Sequence, residues 1–137
     1  MSLCTVVKAS AIVCVAAGLV CADGNETFDN YPVTGQSYAN GSFTGQDGST
    51  GTYVQCSGHT EGQITPPTPH LGRDRSPASE LYSGTLLGGI GTLTFQYRKS
   101  FATAVKLDVF VNGSLVTTIE DSGTGVKTAG PFDINVP

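Results

Sequence analysis

The chain lacks an apolar run long enough to cross a membrane as a helix. Its longest run, Ala9 to Val20, has about 12 residues, whereas a membrane-spanning helix needs ~20. Lys8 precedes the run, and Val20-Cys21-Ala22 ends it with a small residue at the cleavage position, as in secretory signal peptides. We therefore predict a signal peptide at residues 1–22, cleavage after Ala22, and a secreted or cell-surface protein without membrane association once cleaved. A short buried helix is the alternative interpretation.

Cysteine is scarce in the predicted mature chain. Cys4, Cys14 and Cys21 belong to the signal peptide, which leaves Cys56 alone. A single cysteine cannot form an internal disulfide, so an exported domain of this size depends on its apolar core or on bound metal. We predict that Cys56 is a small buried strand residue, with an intermolecular or reactive thiol as the alternative. A lipid anchor on Cys21 or Cys14 competes with cleavage, but a valine precedes each cysteine where a small residue would be expected.

Charge is scarce as well, and basic charge is the scarcer kind. After cleavage, six Lys and Arg residues face eleven Asp and Glu residues, a net charge of −5. Nucleic-acid binding needs clustered basic side chains, so nucleic acid is excluded as a direct partner. An acidic surface keeps an exported domain soluble but specifies no ligand. The oligomeric state is left open.

Helical periodicity is missing after residue 22, where short apolar runs alternate with turn dipeptides such as Asn40-Gly41, Asp47-Gly48 and Asn112-Gly113. This pattern predicts an all-β fold, an antiparallel two-sheet β-sandwich formed by one domain at residues 23–137. The segment from Ser57 to Ser79 is irregular, and its four prolines exclude a central strand there.

The clearest strand signals lie in "GTLTFQYRKSFATAVKLDVFVNGSL", residues 91–115. Leu93, Phe95 and Tyr97 alternate with polar residues, which predicts that they share one face of a strand. The following run alternates in the same way up to Asn112-Gly113, a dipeptide typical of β-hairpins. We interpret this hairpin as part of the core scaffold, with its apolar face packed on the opposite sheet.

Two registers of the hairpin are compatible with the residues. A two-residue turn would pair Val111 with Ser114 and place Leu115 beside Phe110 on the outer face. A three-residue loop with a bulge would instead pair Val109 with Leu115 and keep the apolar residues together. We favour the bulged loop because a slip of one residue exchanges the two faces of a strand.

The sequence contains no recognisable pattern of catalytic residues. His59 and His70 flank the proline-rich segment, but no serine or cysteine in a nucleophile-elbow context and no zinc-ligand spacing accompany them. We predict that both histidines are exposed loop residues. Glycoside hydrolysis needs two placed carboxylates in a cleft, and the scattered acids do not indicate such a pair. The chain is therefore predicted not to be an enzyme.

Four segments in a characteristic order, "ETFDNYP", "GSFTGQDGSTGTY", "LGRDRSPASELYSGTLLGGIGTLTFQYRKSF" and "VFVNGSLVTTI", resemble a carbohydrate-binding-module-like jelly-roll domain of secreted bacterial multidomain proteins. The resemblance covers Asn25 to Pro137 and is most specific from Ser79 to Val111. It implies a jelly-roll sandwich that serves as an accessory module without catalytic residues.

The chain departs from this family at two places. Gly51 stands where such domains usually have tryptophan, and "FDINV" is followed by Pro137 instead of a final strand with an Asp-Asn pair. We therefore expect a domain that lacks its final strand. The resemblance also implies a structural Ca²⁺ between the first and last strands, with Glu26 and Asp29 as ligands. Asp47-Gly48 is interpreted as a turn.

Glycan binding needs flat aromatic side chains beside polar groups. We predict an accessory module that binds an extracellular polysaccharide or cell-surface polymer; a structural or adhesion module without a sugar ligand is the alternative. The candidate ligand-binding residues are Tyr31, Tyr38, Tyr53, Tyr82 and Arg98.

Overall fold

The computed structural model describes residues 5–12, 24–58, 64, 67–86, 89–100 and 104–136. These residues form β-strands joined by turns and loops, and no helix occurs among them, which confirms the all-β class. The strands are β1 (Thr5–Ile12), β2 (Gly24–Asn25), β3 (Ala39–Thr44), β4 (Thr50–Ser57), β5 (His70–Leu71), β6 (Glu80–Ser83), β7 (Ile90–Arg98), β8 (Val105–Val111), β9 (Ser114–Asp121) and β10 (Val126–Val136).

Eight of these strands form one antiparallel sheet in the order β10-β7-β1-β5-β4-β3, with β2 paired to β1 and β6 paired to β4. Strands β8 and β9 form a separate two-stranded sheet. Strand β1 is an interior strand of the large sheet, because it pairs with β7 on one side and with β2 and β5 on the other. Among the described strands it therefore joins the β7–β10 half of the large sheet to the β3–β4–β6 half.

Strand β1 falls within the predicted signal peptide. Its register with β7 runs from Val6 opposite Arg98 to Ile12 opposite Thr92, and Ser10 lies opposite Asn25 of β2. Segment Thr5–Ile12 thus lies beside Gly24–Asn25, the start of the predicted mature domain. The predicted cleavage site after Ala22 lies outside the described residues.

The core lies between the inner face of the large sheet and the β8–β9 hairpin. Phe95 and Tyr97 of β7 are buried and Leu93 is partly buried against them, which confirms the predicted face of this strand. Val105 and Leu107 of β8 are buried in the same cluster. The hairpin is therefore the second layer of the core, and burial of its apolar face is what drives it onto the sheet.

The favoured register of this hairpin was wrong. Val111 pairs with Ser114 and Phe110 with Leu115, so the loop is the two-residue Asn112-Gly113 turn. Both turn residues have positive φ, 49° and 75°, as a type I′ turn requires. A bulge between Val109 and Phe110 then restores the inner pairs further along the hairpin. The apolar faces are matched by this bulge inside the ladder, and not by a longer loop.

Gly51 leaves space for the ring of Phe43. Phe43 of β3 is the cross-strand partner of Gly51 in β4. A Cβ on Gly51 would lie 2.4 Å from Cζ of the Phe43 ring. Phe43 in turn packs edge-on against Tyr31, with ring centroids 5.8 Å apart. The aromatic core thus forms without tryptophan because glycine leaves room for the partner strand's ring.

Strand β10 forms one edge of the large sheet. Its ladder with β7 is interrupted between Ala129 and Phe132, where Gly130 has a φ of 94° and Pro131 has no N–H group. A Cβ on Gly130 would lie 2.5 Å from the carbonyl oxygen of Leu93. Glycine is therefore required at this bulge by both its conformation and its close approach to β7.

Candidate functional site

An open cleft of about 1230 Å³ lies where the β8–β9 hairpin leaves the inner face of the large sheet uncovered. Its floor includes Phe43, Phe95 and Leu107, which also belong to the core cluster. One rim is formed by β8 and the Asn112-Gly113 turn, and another by β6. The cleft exists because the second layer has only two strands in the described part of the chain.

Two aromatic rings on these rims are exposed. Tyr82 of β6 is 51% exposed and Phe110 of β8 is 58% exposed, and both line the cleft. Polar side chains accompany them, with Asp108 and Asn112 on the hairpin rim and Ser83 beside Tyr82. Exposed flat rings next to hydrogen-bonding groups can stack on and orient a ligand with an apolar face.

Phe110 was missed by the sequence analysis. Its position in the alternating run places it on the same face as Lys106 and Asp108, opposite to the buried Leu107 and the partly buried Val109. An aromatic residue on the polar face of a strand was the available signal. The two-residue turn, which places Leu115 beside Phe110 on the outer face, would have strengthened it.

The other predicted tyrosines do not present their rings to the cleft. Tyr31 and Tyr53 are core residues, 2% and 6% exposed, with ring centroids 5.1 Å apart, so neither ring is accessible to a ligand at the surface. The Tyr31 hydroxyl donates to the Ser57 carbonyl at 3.1 Å, and burial raises the pKa of this phenol far above its ordinary value. Both rings are buried in the core.

Tyr38 and Arg98 lie outside the cleft lining. The guanidinium of Arg75 lies 3.6 Å from the centroid of the Tyr38 ring, a cation–π contact that covers one face of the ring. Arg98 is partly buried at the end of β7, where Val126 of β10 is its cross-strand partner. Of the five predicted ligand-binding residues, the structure places only Tyr82 in the cleft.

Glu26 and Asp29, the predicted calcium ligands, lie near each other, but their carboxylates accept hydrogen bonds from other groups of the protein. The Glu26 carboxylate accepts the backbone N–H of Phe28 at 2.5 Å and that of Gln46 at 3.1 Å. Asp29 Oδ2 accepts the Thr27 hydroxyl at 2.6 Å and the Gln46 amide at 2.8 Å. These bonds tie the segment after β2 to the β3–β4 turn.

The β3–β4 turn brings one further carboxylate to Glu26. A Cβ on Gly45 would lie 2.6 Å from Glu26 Oε2 and 3.1 Å from both Asp47 Oδ1 and Ser49 Oγ. Asp47 caps its own turn by accepting the Ser49 N–H at 2.9 Å, and hydrogen bonds from Ser49 lower the pKa of Asp47. The predicted turn at Asp47-Gly48 is confirmed, with φ 82° at Gly48.

These oxygens are too few to hold a calcium ion. Calcium takes six to eight oxygen ligands. In the part of the chain that the structure describes, no group of three Asp, Glu, His or Cys side chains is placed to hold a metal. Asp29 is directed to Thr27 and Gln46, and the Glu26 oxygens already accept N–H groups. The described residues alone therefore do not fit the ion that the resemblance implies.

His70 is buried, and its predicted exposed-loop location was wrong. It is 1% exposed within β5, and its Nδ1 lies 3.3 Å from Oγ of Ser57, which is equally buried. The two-residue strand β5 carries the ring inward because it bridges β1 and β4. His59 lies outside the described residues.

A serine beside a histidine has the composition of a nucleophile and its base, but a nucleophile must reach its substrate. Neither Ser57 nor His70 lines the cleft, and both are shielded by the surrounding strands. Their contact is therefore a buried polar contact within the sheet, which satisfies side-chain groups that would otherwise be costly to bury.

Cys56 is a free and fully buried cysteine, as predicted. Its Sγ lies 3.3 Å from the Val54 carbonyl oxygen and 3.2 Å from that of Glu80. Burial raises the pKa of the thiol to about 12, because a thiolate would lose its hydration there. The thiol therefore belongs to the packing of β4 against β6.

Searches against protein-family models, curated proteins and solved structures find no match to this chain. No helix in the described residues is long and apolar enough to cross a membrane. The functional hypothesis accordingly depends on the cleft and on the sequence resemblance.

Proposed function

We propose that this chain is an exported, non-catalytic accessory module of jelly-roll type that binds an extracellular glycan or cell-surface polymer in the cleft. The observation that carries the proposal is the pair of exposed aromatic residues, Tyr82 and Phe110, that line one open cleft. Apolar side chains are costly to leave in water, so two exposed rings around one concavity indicate a surface that is covered by a ligand.

A polysaccharide suits this surface in shape and chemistry. Sugar rings have an apolar C–H face that stacks on aromatic rings and an edge of hydroxyls that takes hydrogen bonds from neighbouring polar groups. Asn112 and Asp108 supply such groups beside Phe110.

Binding of the full chain to insoluble polysaccharides tests the proposal. Purified protein is mixed with cellulose, chitin or bacterial cell wall, and the protein left in solution is measured. We expect retention on at least one polymer, and Tyr82→Ala or Phe110→Ala should weaken it about tenfold, equivalent to ~1.4 kcal/mol. Leu115→Ala is the control, because Leu115 is 56% exposed but lies outside the cleft lining.

A structural or adhesion module without a sugar ligand is the second candidate. It is favoured by the burial of Tyr31 and Tyr53 and by the covered ring of Tyr38, which leave a single predicted tyrosine accessible in the cleft. Folded protein that is retained by none of the polymers would replace the binding proposal with this one.

A further inference from the structure

We propose that the cleft selects a cationic glycan, a polymer of amino sugars with free, protonated amines. This inference rests on the proposed function and adds the charge class of the ligand. Its basis is the sign of the charged side chains that line the cleft. The carboxylates among them are Glu26, Asp47, Asp74, Glu80 and Asp108, and the single cation is Arg75.

The cation does little to balance these carboxylates. The Arg75 guanidinium is held over the Tyr38 ring, and Tyr38 is not a lining residue. Of the ion pairs in the described part of the chain, one involves a cleft carboxylate, Asp74 with Arg73, whose N–O distance is 3.7 Å between two exposed side chains. This pair offsets the charge of Asp74 and leaves Glu26, Asp47, Glu80 and Asp108 as the uncompensated carboxylates of the lining.

Three of the four remaining lining carboxylates accept hydrogen bonds from neutral donors. Asp108 accepts the Thr118 hydroxyl at 2.6 Å, and Glu26 and Asp47 accept backbone N–H groups. These bonds orient the carboxylates without cancelling their charge. The cleft therefore has a negative potential, which attracts ammonium groups and repels uronic acids and phosphates.

The charged and aromatic groups lie close enough along the chain to act on one ligand. Asp108 is two residues from Phe110 on the same face of β8, and Glu80 is two residues from Tyr82 on β6. Each rim thus pairs an exposed ring with an exposed carboxylate. A sugar stacked on the ring would place an amine substituent near the carboxylate, and the ring face itself attracts cations.

Two oligosaccharides with the same backbone provide the sharpest test: an oligomer of glucosamine and the same oligomer N-acetylated. Calorimetry of the full chain is run at about pH 5.5, where carboxylates are ionised. We expect the glucosamine oligomer to bind more tightly and the preference to shrink in high salt. Asp108→Asn and Glu80→Gln should each lower its affinity roughly two- to fivefold, the effect of an exposed ion pair, and should lower that of the acetylated oligomer by a smaller factor.

Two controls separate the site from general attraction of an acidic protein to a cation. Asp133→Asn removes an exposed carboxylate of β10 outside the cleft lining and should leave the affinity unchanged. Tyr82→Ala keeps the net charge and should weaken glucosamine binding, but not the salt-dependent binding of polylysine. If Asp133→Asn weakens binding as much as Asp108→Asn, the selection does not arise in the cleft and the inference is wrong.

The remaining outcomes distinguish this inference from the proposed function. Equal affinity for both oligomers, or tighter binding of alginate, would overturn the charge selection and leave the glycan-binding proposal standing. Failure of every glycan to bind the folded chain would overturn both.

Discussion

The ring of Phe43 lies so close to Gly51, its partner across the β3–β4 ladder, that a Cβ there would approach Cζ to 2.4 Å. Gly51→Ala must therefore displace a core ring, and overpacking of this kind typically costs about 1–3 kcal/mol. Urea unfolding of the variant should give a free energy of unfolding lower by this amount.

Gly35→Ala is the matched control for Gly51→Ala, because no atom lies within 4 Å of the added Cβ. Its free energy of unfolding should stay within about 0.5 kcal/mol of the original chain. Equal losses in the two variants would show that the Phe43 contact is not the cause.

Lys127 donates a hydrogen bond of 2.6 Å to Asp121, linking β10 to the end of the hairpin. This bond lowers the pKa of Asp121 below its ordinary value of 3.8 and raises that of Lys127 above 10.5. The carboxylate's contribution is present above its unfolded-state pKa and is lost as pH falls through the folded-state pKa. The ammonium's contribution is lost only as pH rises past its raised pKa.

Acid unfolding of Asp121→Asn tests this pair. Between about pH 5 and pH 2, the original chain should lose more stability than the variant, because the variant has no carboxylate to protonate there. Asp133→Asn, which removes an exposed carboxylate of β10, should retain the pH dependence of the original chain. An Asp121→Asn profile parallel to the original would contradict the assignment.

The buried thiol of Cys56 should be unreactive in the folded protein. Its pKa of about 12 leaves almost no thiolate near neutral pH, and thiolate is the reacting form. With Cys4, Cys14 and Cys21 replaced by serine, the folded chain should resist a thiol reagent such as DTNB and react stoichiometrically in denaturant. Rapid labelling of the folded chain would mean that β4 and β6 open readily at this position.

Removal of the predicted signal peptide, which contains strand β1, should lower the stability of the domain. Because Thr5–Ile12 pairs with β7 on one side and with β2 and β5 on the other, residues 23–137 without it lose the link between the two halves of the sheet. We expect this shorter chain to unfold at a lower urea concentration, and with a smaller m-value, than residues 1–137. Equal midpoints would show that the mature domain is stable without this strand.

Calcium can be tested on the same two chains. An ion bound only by the folded state raises the unfolding temperature by mass action. Because the Glu26 oxygens already accept N–H groups and the described residues do not fit the ion, we expect equal midpoints in calcium and in EDTA. A midpoint raised by calcium would contradict this expectation; Glu26→Gln should then remove the increment, whereas Asp74→Asn, an exposed acid paired to Arg73, should keep it.

The sequence predicted what alternation and turn residues determine. The face of Leu93, Phe95 and Tyr97 and the Asn112-Gly113 turn are confirmed, because period-two alternation and positive-φ residues are local properties. The register of the hairpin was missed because the bulge that brings its apolar residues into register lies within the ladder, between Val109 and Phe110, and not at the turn. A bulge has no reliable local signature unless glycine or proline marks it.

Burial of the polar aromatics and of His70 could not be predicted in the same way. Tyr31 and Tyr82 both stand among polar residues, yet Tyr31 is buried by β4 and Phe43, whereas Tyr82 faces the cleft. The difference arises from tertiary neighbours that are distant in sequence. For His70, a two-residue strand between prolines and glycine gave no periodicity from which burial could be predicted.

The interruption of β10 at Gly130-Pro131 affects how copies of this protein meet each other. An exposed sheet edge with regular N–H and C=O groups is a template for another chain's strand. Here the outermost strand has a missing donor and a bulge in its middle, so an approaching strand would find its hydrogen bonds out of step. The edge thus resists edge-to-edge pairing of sheets from different molecules, which favours a dispersed protein over fibrous aggregates.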